Sequence, residues 1–70
     1  MKLTSAKDFG LAVKTRRKQL GYTQAYVAEV TGISTSFISD LENGKKTAEL
    51  GKALFIANLL GMDVEMKERG

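Results

Sequence analysis

The side chains able to carry chemistry in this chain are hydroxyls, amides, carboxylates and cations, because the 70 residues include no histidine and no cysteine. The commonest general base and the commonest metal ligand are therefore missing, as are thiolate sites and disulfides. Paired carboxylates such as Glu65 and Glu68 have the character of surface charges, and no glycine-rich phosphate loop is present. The sequence predicts a protein that is not an enzyme and binds no cofactor or metal ion.

The charge balance favours anionic partners, although only mildly. Eleven basic residues against eight acidic ones give a formal net charge of +3 and a pI near 9.4, which by itself is weak support for nucleic-acid binding. No apolar run approaches the roughly 18 residues of a membrane span, and the N-terminus lacks the apolar stretch of a signal peptide. We therefore expect a cytoplasmic protein.

Capping residues and glycines divide the chain into four helices, since it contains no proline. The helices are predicted from the Ser5 cap to Gly21, from Gln24 to about Thr31, from the Ser34 cap to about Glu42, and from the Thr47 cap to about Leu60. Thr23 caps the second of them. Apolar positions at helical spacing predict the core, and they are Phe9, Val13, Leu20, Val27, Ala28, Val30, Ile38 and Leu41.

The fourth helix and the tail carry more apolar surface than one small chain can cover. Residues 62–67 alternate apolar and charged side chains, the period typical of a half-buried strand. A lone strand has no partner within its own chain, so it must pair with another chain or fray. We therefore expect a homodimer in which residues 1–61 form the domain and residues 62–70 form the dimerisation strand and tail. The residues expected at the dimer interface are Phe55, Leu59, Met62, Val64 and Met66.

The stretch from Gly21 to Gly44 has the pattern of two short helices joined by a tight turn. Gly32 lies where the chain turns sharply and needs a positive φ. Ile33 fills the turn against the core, and Ser34 caps the next helix. Together these positions predict a helix-turn-helix. The side chains left on or near the outer face of the second helix of this pair are Thr35, Ser36, Phe37, Ser39 and Asp40.

This pattern resembles the Xre/Cro/C1 family of phage and bacterial repressors over roughly residues 9–61. The matching residues are Arg17, Leu20-Gly21, Thr23-Gln24, Val27-Ala28, Gly32-Ile33-Ser34, Ile38-Ser39 and Leu41-Glu42-Asn43-Gly44-Lys45. The short length and the tail are more narrowly similar to HipB-type antitoxins, homodimers that repress their own operon and bind a HipA-type kinase toxin. The resemblance implies an all-α, lambda-repressor-like domain of four to five helices, with a short C-terminal β-strand pairing across a dimer. It also implies association with a bacterial nucleoid.

The resemblance further implies that the third helix enters the major groove of double-stranded DNA while the second lies across the backbone. The implied DNA-contacting residues are Gln24, Ser34, Thr35, Ser36, Phe37, Ser39, Asp40, Lys45, Lys46 and Arg17. Gln24, Lys45 and Lys46 are expected on phosphates, and Thr35 and Ser36 at the centre of base recognition. The third helix lacks the Arg, Lys, Asn and Gln that read guanine and adenine with paired hydrogen bonds. More of the specificity is therefore expected from DNA shape and half-site spacing.

Two interpretations of Arg17 remain open. It lies close to the apolar stripe of the first helix, and the resemblance implies an ion pair with Glu42. The alternative is a phosphate contact, and the two can coexist.

Three functions fit the sequence. The favoured one is a dimeric, operator-binding repressor that regulates its own operon and serves as the antitoxin of a HipA-like toxin. The second is a phage or mobile-element regulator without a toxin partner. The third is a protein-interaction module of the same fold, suggested by the weakly reading third helix.

Overall fold

A computed structural model describes residues 2–70 and contains four α-helices in that range. The helices are α1 (Ala6–Gln19), α2 (Gln24–Thr31), α3 (Thr35–Glu42) and α4 (Leu50–Leu59). The predicted number and order of helices are confirmed, and α2 and α3 have the predicted bounds. No helix of residues 2–70 is both long enough and apolar enough to cross a membrane.

The first three helices begin at the predicted N-caps, Ser5, Thr23 and Ser34. In each case the hydroxyl accepts a hydrogen bond from the backbone N–H three residues further along, at 3.0–3.1 Å. Each bond pairs an N–H that has no acceptor inside its own helix, which typically stabilises a helix by about 1 kcal/mol. Short hydroxyl side chains therefore determine where the helix-turn-helix elements begin.

The predicted start of α4 is wrong. The helix begins at Leu50, and its N-cap Glu49 makes no capping hydrogen bond through its side chain. Thr47 lies instead in an exposed turn before the helix. This turn directs Ala48 against the core, so packing of Ala48 overrides the capping preference of Thr47.

The core lies where all four helices meet. Its buried members are Val13, Val27, Ile38, Leu41, Ala53, Ile56 and Leu60. Four of the eight residues predicted for the core are thus fully buried, and Phe9, Leu20 and Ala28 pack against it partly buried. Val30 is a wrong prediction, because it is 47% exposed on the outer side of α2.

Gly10 allows α1 and α3 to cross backbone against backbone. A Cβ atom at this position would lie 2.1 Å from the carbonyl oxygen of Leu41 and 2.9 Å from that of Glu42. Glycine inside a helix is otherwise unfavourable, so its presence here is explained by the close crossing. The crossing holds α3 at a short, fixed distance from α1.

The predicted C-terminal strand does not form within residues 2–70, whose tail beyond Gly61 has no regular secondary structure. A strand needs a neighbour for its backbone hydrogen bonds, and this single chain presents none there. Met62, predicted at a dimer interface, instead packs against the core of its own chain. Its N–H donates to the carbonyl of Ala57 at 3.0 Å, in the Schellman pattern that ends α4 and brings Met62 back onto the helix.

Candidate nucleic-acid interface

The turn between α2 and α3 determines how α3 is presented. Gly32 has φ +73°, as the sequence predicted. The Thr31 hydroxyl donates to the carbonyl of Val27 at 2.7 Å and accepts from the N–H of Ile33 at 3.1 Å. Sequence reasoning missed this role of Thr31, although short hydroxyl side chains commonly bond to nearby backbone. The hydroxyl and the glycine together fix the direction in which α3 leaves the turn.

The outer face of α3 is rich in exposed polar side chains. Ser34, Thr35, Ser36 and Asp40 are exposed, and Ser39 is half-buried. Except for Ser39, the structure therefore places the polar candidates for base recognition on the free surface. Because Thr35 and Ser36 stand in the first turn of α3, they lie at the end that a docked recognition helix directs at base edges.

Phe37 is less available than its neighbours on α3. It is half-buried and packs against the core, and the Nζ of Lys52 on α4 lies 5.6 Å from the centroid of its ring. This is within the range of a cation–π interaction. Sequence reasoning missed Lys52, since its place beside α3 depends on how α4 packs. The contact adds an exposed cation next to the candidate recognition helix.

Two cations follow α3 directly. Lys45 and Lys46 are both exposed, as a phosphate-binding role requires. The Nζ of Lys45 lies 3.4 Å from Oδ2 of Asp40, and the two side chains are 54% and 51% exposed. An ion pair this exposed contributes less than about 1 kcal/mol, so it leaves Lys45 able to exchange Asp40 for another anion.

A buried ion pair joins α1 to α3. Arg17 donates from Nε to Oε2 of Glu42 at 2.6 Å and from Nη2 to Oε1 at 2.9 Å. A third donor, Nη1, bonds the carbonyl of Tyr22 at 2.8 Å. Arg17 is 8% exposed and Glu42 is 7% exposed. The predicted ion pair is confirmed, and the burial and three bonds of Arg17 do not fit the alternative of a free phosphate contact.

Gln24 completes this buried group. Its Nε2 donates to Oε1 of Glu42 at 3.1 Å, so the Glu42 carboxylate connects the first residue of α2 with α1 and α3. The sequence predicted a phosphate-binding role for Gln24 and gave no sign of this contact. The side chain is half-buried, which leaves part of it at the surface.

The charges in this group stabilise each other. Burial by itself would raise the pKa of Glu42, but the hydrogen bonds from Arg17 and Gln24 and the attraction of Arg17 and Lys14 outweigh it, so the pKa is lowered. The hydrogen bond to Glu42 raises the pKa of Arg17 above its usual range. No buried side-chain nitrogen or oxygen in residues 2–70 lacks a hydrogen-bond partner. At neutral pH the carboxylate is therefore ionised and fully bonded.

Acid should weaken the fold through Glu42. Because its pKa is lower in the folded protein, its stabilisation is complete above the unfolded pKa of about 4.3 and is lost as the pH falls through the lower folded pKa. Urea unfolding of the parent and of Glu42→Gln between about pH 7 and pH 3 measures this loss. The variant should lose less stability over that range. Equal losses in the two proteins would contradict the expectation.

The surface expected to meet a second subunit is apolar and open. Phe55 and Leu59 on α4 are 51% and 44% exposed, and Val64 and Met66 in the tail are 41% and 99% exposed. Four of the five predicted dimer residues therefore lie at the surface, whereas Met62 packs onto its own core. Within residues 2–70 no cluster of three or more His, Cys, Asp or Glu side chains could hold a metal ion.

Two short helices at a tight turn, with an exposed polar face on the second, define a helix-turn-helix domain. The helix-turn-helix family HTH_3 matches residues 13–66. This chain belongs to that family, whose domains are of the Xre/Cro/C1 type, and the resemblance found in the sequence is confirmed.

Relatives with similar sequences carry names of regulators. The chain is 35% identical over 69 residues to the uncharacterized HTH-type transcriptional regulator y4mF of Sinorhizobium fredii, covering 99% of this chain and 91% of the relative. It is 28% identical over 64 residues to the ImmF control region 10 kDa protein of Bacillus phage phi105, covering 91% of this chain and 71% of the relative. Neither is named as an enzyme.

Solved structures of HipB have the same fold. A complex of a singly substituted HipB with an O2 20mer aligns with a TM-score of 0.89 at 28% identity, over the whole of this chain and 97% of that chain. The HipB-O4 20mer complex aligns with the same TM-score at 27% identity, over 100% and 99% of the two chains. The protein is an HTH-type transcriptional regulator with a HipB-like DNA-binding structure.

Proposed function

We propose that this protein is a dimeric, sequence-specific repressor that docks α3 in the major groove of its operator. The observation that carries the proposal is the face of α3: exposed hydroxyl residues at its first turn, with the exposed cations Lys45 and Lys46 just beyond its end. HipB, in complexes with 20mers, has the same fold along its full length. Hydroxyls and an aspartate suit base edges, and lysines suit phosphates.

The two groups of residues have different roles in this proposal. Thr35 and Ser36 contact base edges, with Ser34, Ser39 and Asp40 beside them. Lys45 and Lys46 bind phosphates beyond the end of α3, and Gln24 binds one at the start of α2. Phe37 contributes at most its exposed edge, because the ring packs against the core. Arg17 acts through Glu42 and holds α1 against α3.

These roles predict two kinds of loss. Lys45→Ala or Lys46→Ala should weaken binding about equally on all DNA sequences and flatten the salt dependence by about one unit. Thr35→Ala or Ser36→Ala should cost about 1 kcal/mol and change which bases are tolerated, with the salt dependence nearly intact. Competition binding on a panel of single-base operator variants measures both. If substitutions at Ser39 or Asp40 reshape the preference and those at 35 and 36 do not, base reading is centred one turn later.

The dimer in this proposal uses the open apolar surface of α4 and the tail. Phe55, Leu59, Val64 and Met66 lie on it at 41–99% exposure, and clustered exposed apolar side chains commonly mark association surfaces. A two-fold dimer presents two α3 helices to half-sites about 34 Å apart.

Sedimentation tests the dimer directly. The full chain should sediment as a dimer at tens of micromolar, and removal of residues 62–70 should weaken both association and operator affinity, because the two half-sites are then no longer bound together. Leu11→Ser, which removes another exposed apolar side chain, is a matched control and should leave association unchanged. A monomeric full-length chain at that concentration would exclude the proposed dimer.

The regulatory context separates two versions of the function. The likeness to HipB supports an antitoxin that represses its own operon and binds a HipA-like kinase toxin. The likeness to a phage control-region protein supports a regulator without a toxin partner. A kinase-like reading frame next to this gene, whose product forms a complex with the purified protein, would establish the first version. A stable protein–DNA complex with no such neighbour would favour the second.

A further inference from the structure

The Glu42 carboxylate is the shared acceptor of two different helices. Its Oε2 accepts from Arg17, and its Oε1 accepts from both Arg17 and Gln24, at 2.9 and 3.1 Å. The carboxylate side chain is 2% exposed, so water has little access to it. Arg17 grips both oxygens and therefore fixes the plane and position of the carboxylate.

A fixed carboxylate also determines which way the neighbouring amide faces. An ionised carboxylate offers only lone pairs, so it binds the nitrogen of a glutamine amide and repels the oxygen. The amide nitrogen carries two N–H groups. One of them is taken by Glu42, and within residues 2–70 the Gln24 amide makes no other hydrogen bond. The second N–H remains free to donate.

Gln24 holds this free donor at the beginning of α2. It is the first residue of the helix, directly after the Thr23 cap. The backbone N–H groups of the first helical turn have no acceptor inside the helix. Thr23 pairs the N–H of Tyr26 through its hydroxyl and that of Val27 through its carbonyl. The N–H groups of Gln24 and Ala25 precede these pairs, and the free amide N–H lies on the same residue as the first of them.

We propose that Glu42 is a positioning residue for phosphate binding by Gln24: Arg17 fixes the carboxylate, the carboxylate turns the amide nitrogen inward, and the second amide N–H donates to a DNA phosphate oxygen. This inference rests on the proposed DNA-binding function and extends it, because it gives a buried residue of α3 that touches no DNA a part in backbone recognition. It also predicts that the effect of Glu42 on DNA affinity passes through Gln24.

A double-mutant cycle on DNA binding tests this dependence. The probe is the DNA duplex from upstream of the gene, and affinity is measured for the parent, Gln24→Ala, Glu42→Gln and the double variant. Gln24→Ala should weaken binding by roughly three- to tenfold, the range of one hydrogen bond. Glu42→Gln should weaken it in the parent and have little further effect once Gln24 is alanine. Glu29→Gln, an exposed site on α2 with the same change of charge, controls for the added positive charge.

A merely structural role of Glu42 would give a different result. Lost stability would lower the active fraction equally with or without the Gln24 amide, so equal losses in the two backgrounds would overturn the proposal. If the parent binds no duplex while remaining folded, the proposed function itself fails.

A measurement on the parent protein keeps the proposal testable even if Glu42→Gln does not fold. In nitrogen-15 NMR spectra, the two side-chain amide protons of Gln24 should respond differently to the duplex. The proton facing the phosphate should move, and the one bonded to Glu42 should stay near its original position. If backbone signals of α3 shift on DNA binding and neither Gln24 proton does, the DNA-binding function stands and the positioning role is wrong.

Discussion

Replacing Glu42 with alanine should lower the free energy of unfolding by about 3–5 kcal/mol, the cost of leaving one partner of a buried ion pair alone. Arg17 is 8% exposed and loses two of its three hydrogen bonds in this variant. In a domain of this size each kcal/mol corresponds to about 4–8 °C in Tm, so the Tm should fall by about 12 °C or more. Urea and thermal unfolding followed by circular dichroism measure both quantities.

Asp40→Ala is the matched control on the same helix. It removes the other carboxylate that pairs with a cation, but there both side chains are about half exposed. Its cost should stay below about 1 kcal/mol. If Glu42→Ala melts with the parent, or costs no more than Asp40→Ala, the buried pair does not stabilise the fold.

Gly10→Ala should be similarly severe for a steric reason. The added methyl group would lie 2.1 Å from the Leu41 carbonyl oxygen, and a backbone oxygen at a helix crossing cannot move aside as a side chain can. Overpacking typically costs about 1–3 kcal/mol and occasionally more, and we expect the upper end of that range or beyond. The change in urea midpoint gives the value.

Gly51→Ala separates this clash from the general effect of replacing a helical glycine. Gly51 is an exposed residue of α4, and a Cβ there would meet only the flexible side chain of Glu49, at 3.3 Å. Alanine should be neutral or stabilising at this position by up to about 1 kcal/mol. Comparable losses at positions 10 and 51 would mean that the close crossing of α1 and α3 does not govern the effect.

Local signals predicted the helix-turn-helix well because its elements begin and end at residues with strong conformational preferences. The hydroxyl caps Ser5, Thr23 and Ser34 and the turn glycine Gly32 each act through atoms only a few residues away. The start of α4 was predicted wrongly because there the capping signal of Thr47 competes with the packing of Ala48, a tertiary effect. The tail failed for a related reason, since its alternating pattern needs a strand partner that one chain does not contain.

The candidate site divides in the same way. The exposed face of α3 followed from helical spacing, and the Arg17–Glu42 pair from the resemblance to repressors. The contact of Gln24 with Glu42 joins residues 18 positions apart, and that of Lys52 with Phe37 depends on the packing of α4 against α3. Neither leaves a periodic or capping signal in the sequence. The contacts that sequence reasoning missed are those that require the packed helices.

The salt dependence of binding to the DNA upstream of its own gene tests the central claim most directly. Each neutralised phosphate releases counterions, so the logarithm of the binding constant should fall linearly with the logarithm of the salt concentration, by about 0.9 for each phosphate. With Lys45 and Lys46 from two subunits bound to phosphates, that is four contacts and a slope of about −3.6 or steeper. The upstream duplex should also bind more tightly than a shuffled duplex of the same composition. Affinity that is independent of salt, or equal for the two duplexes, would contradict a sequence-specific DNA-binding repressor.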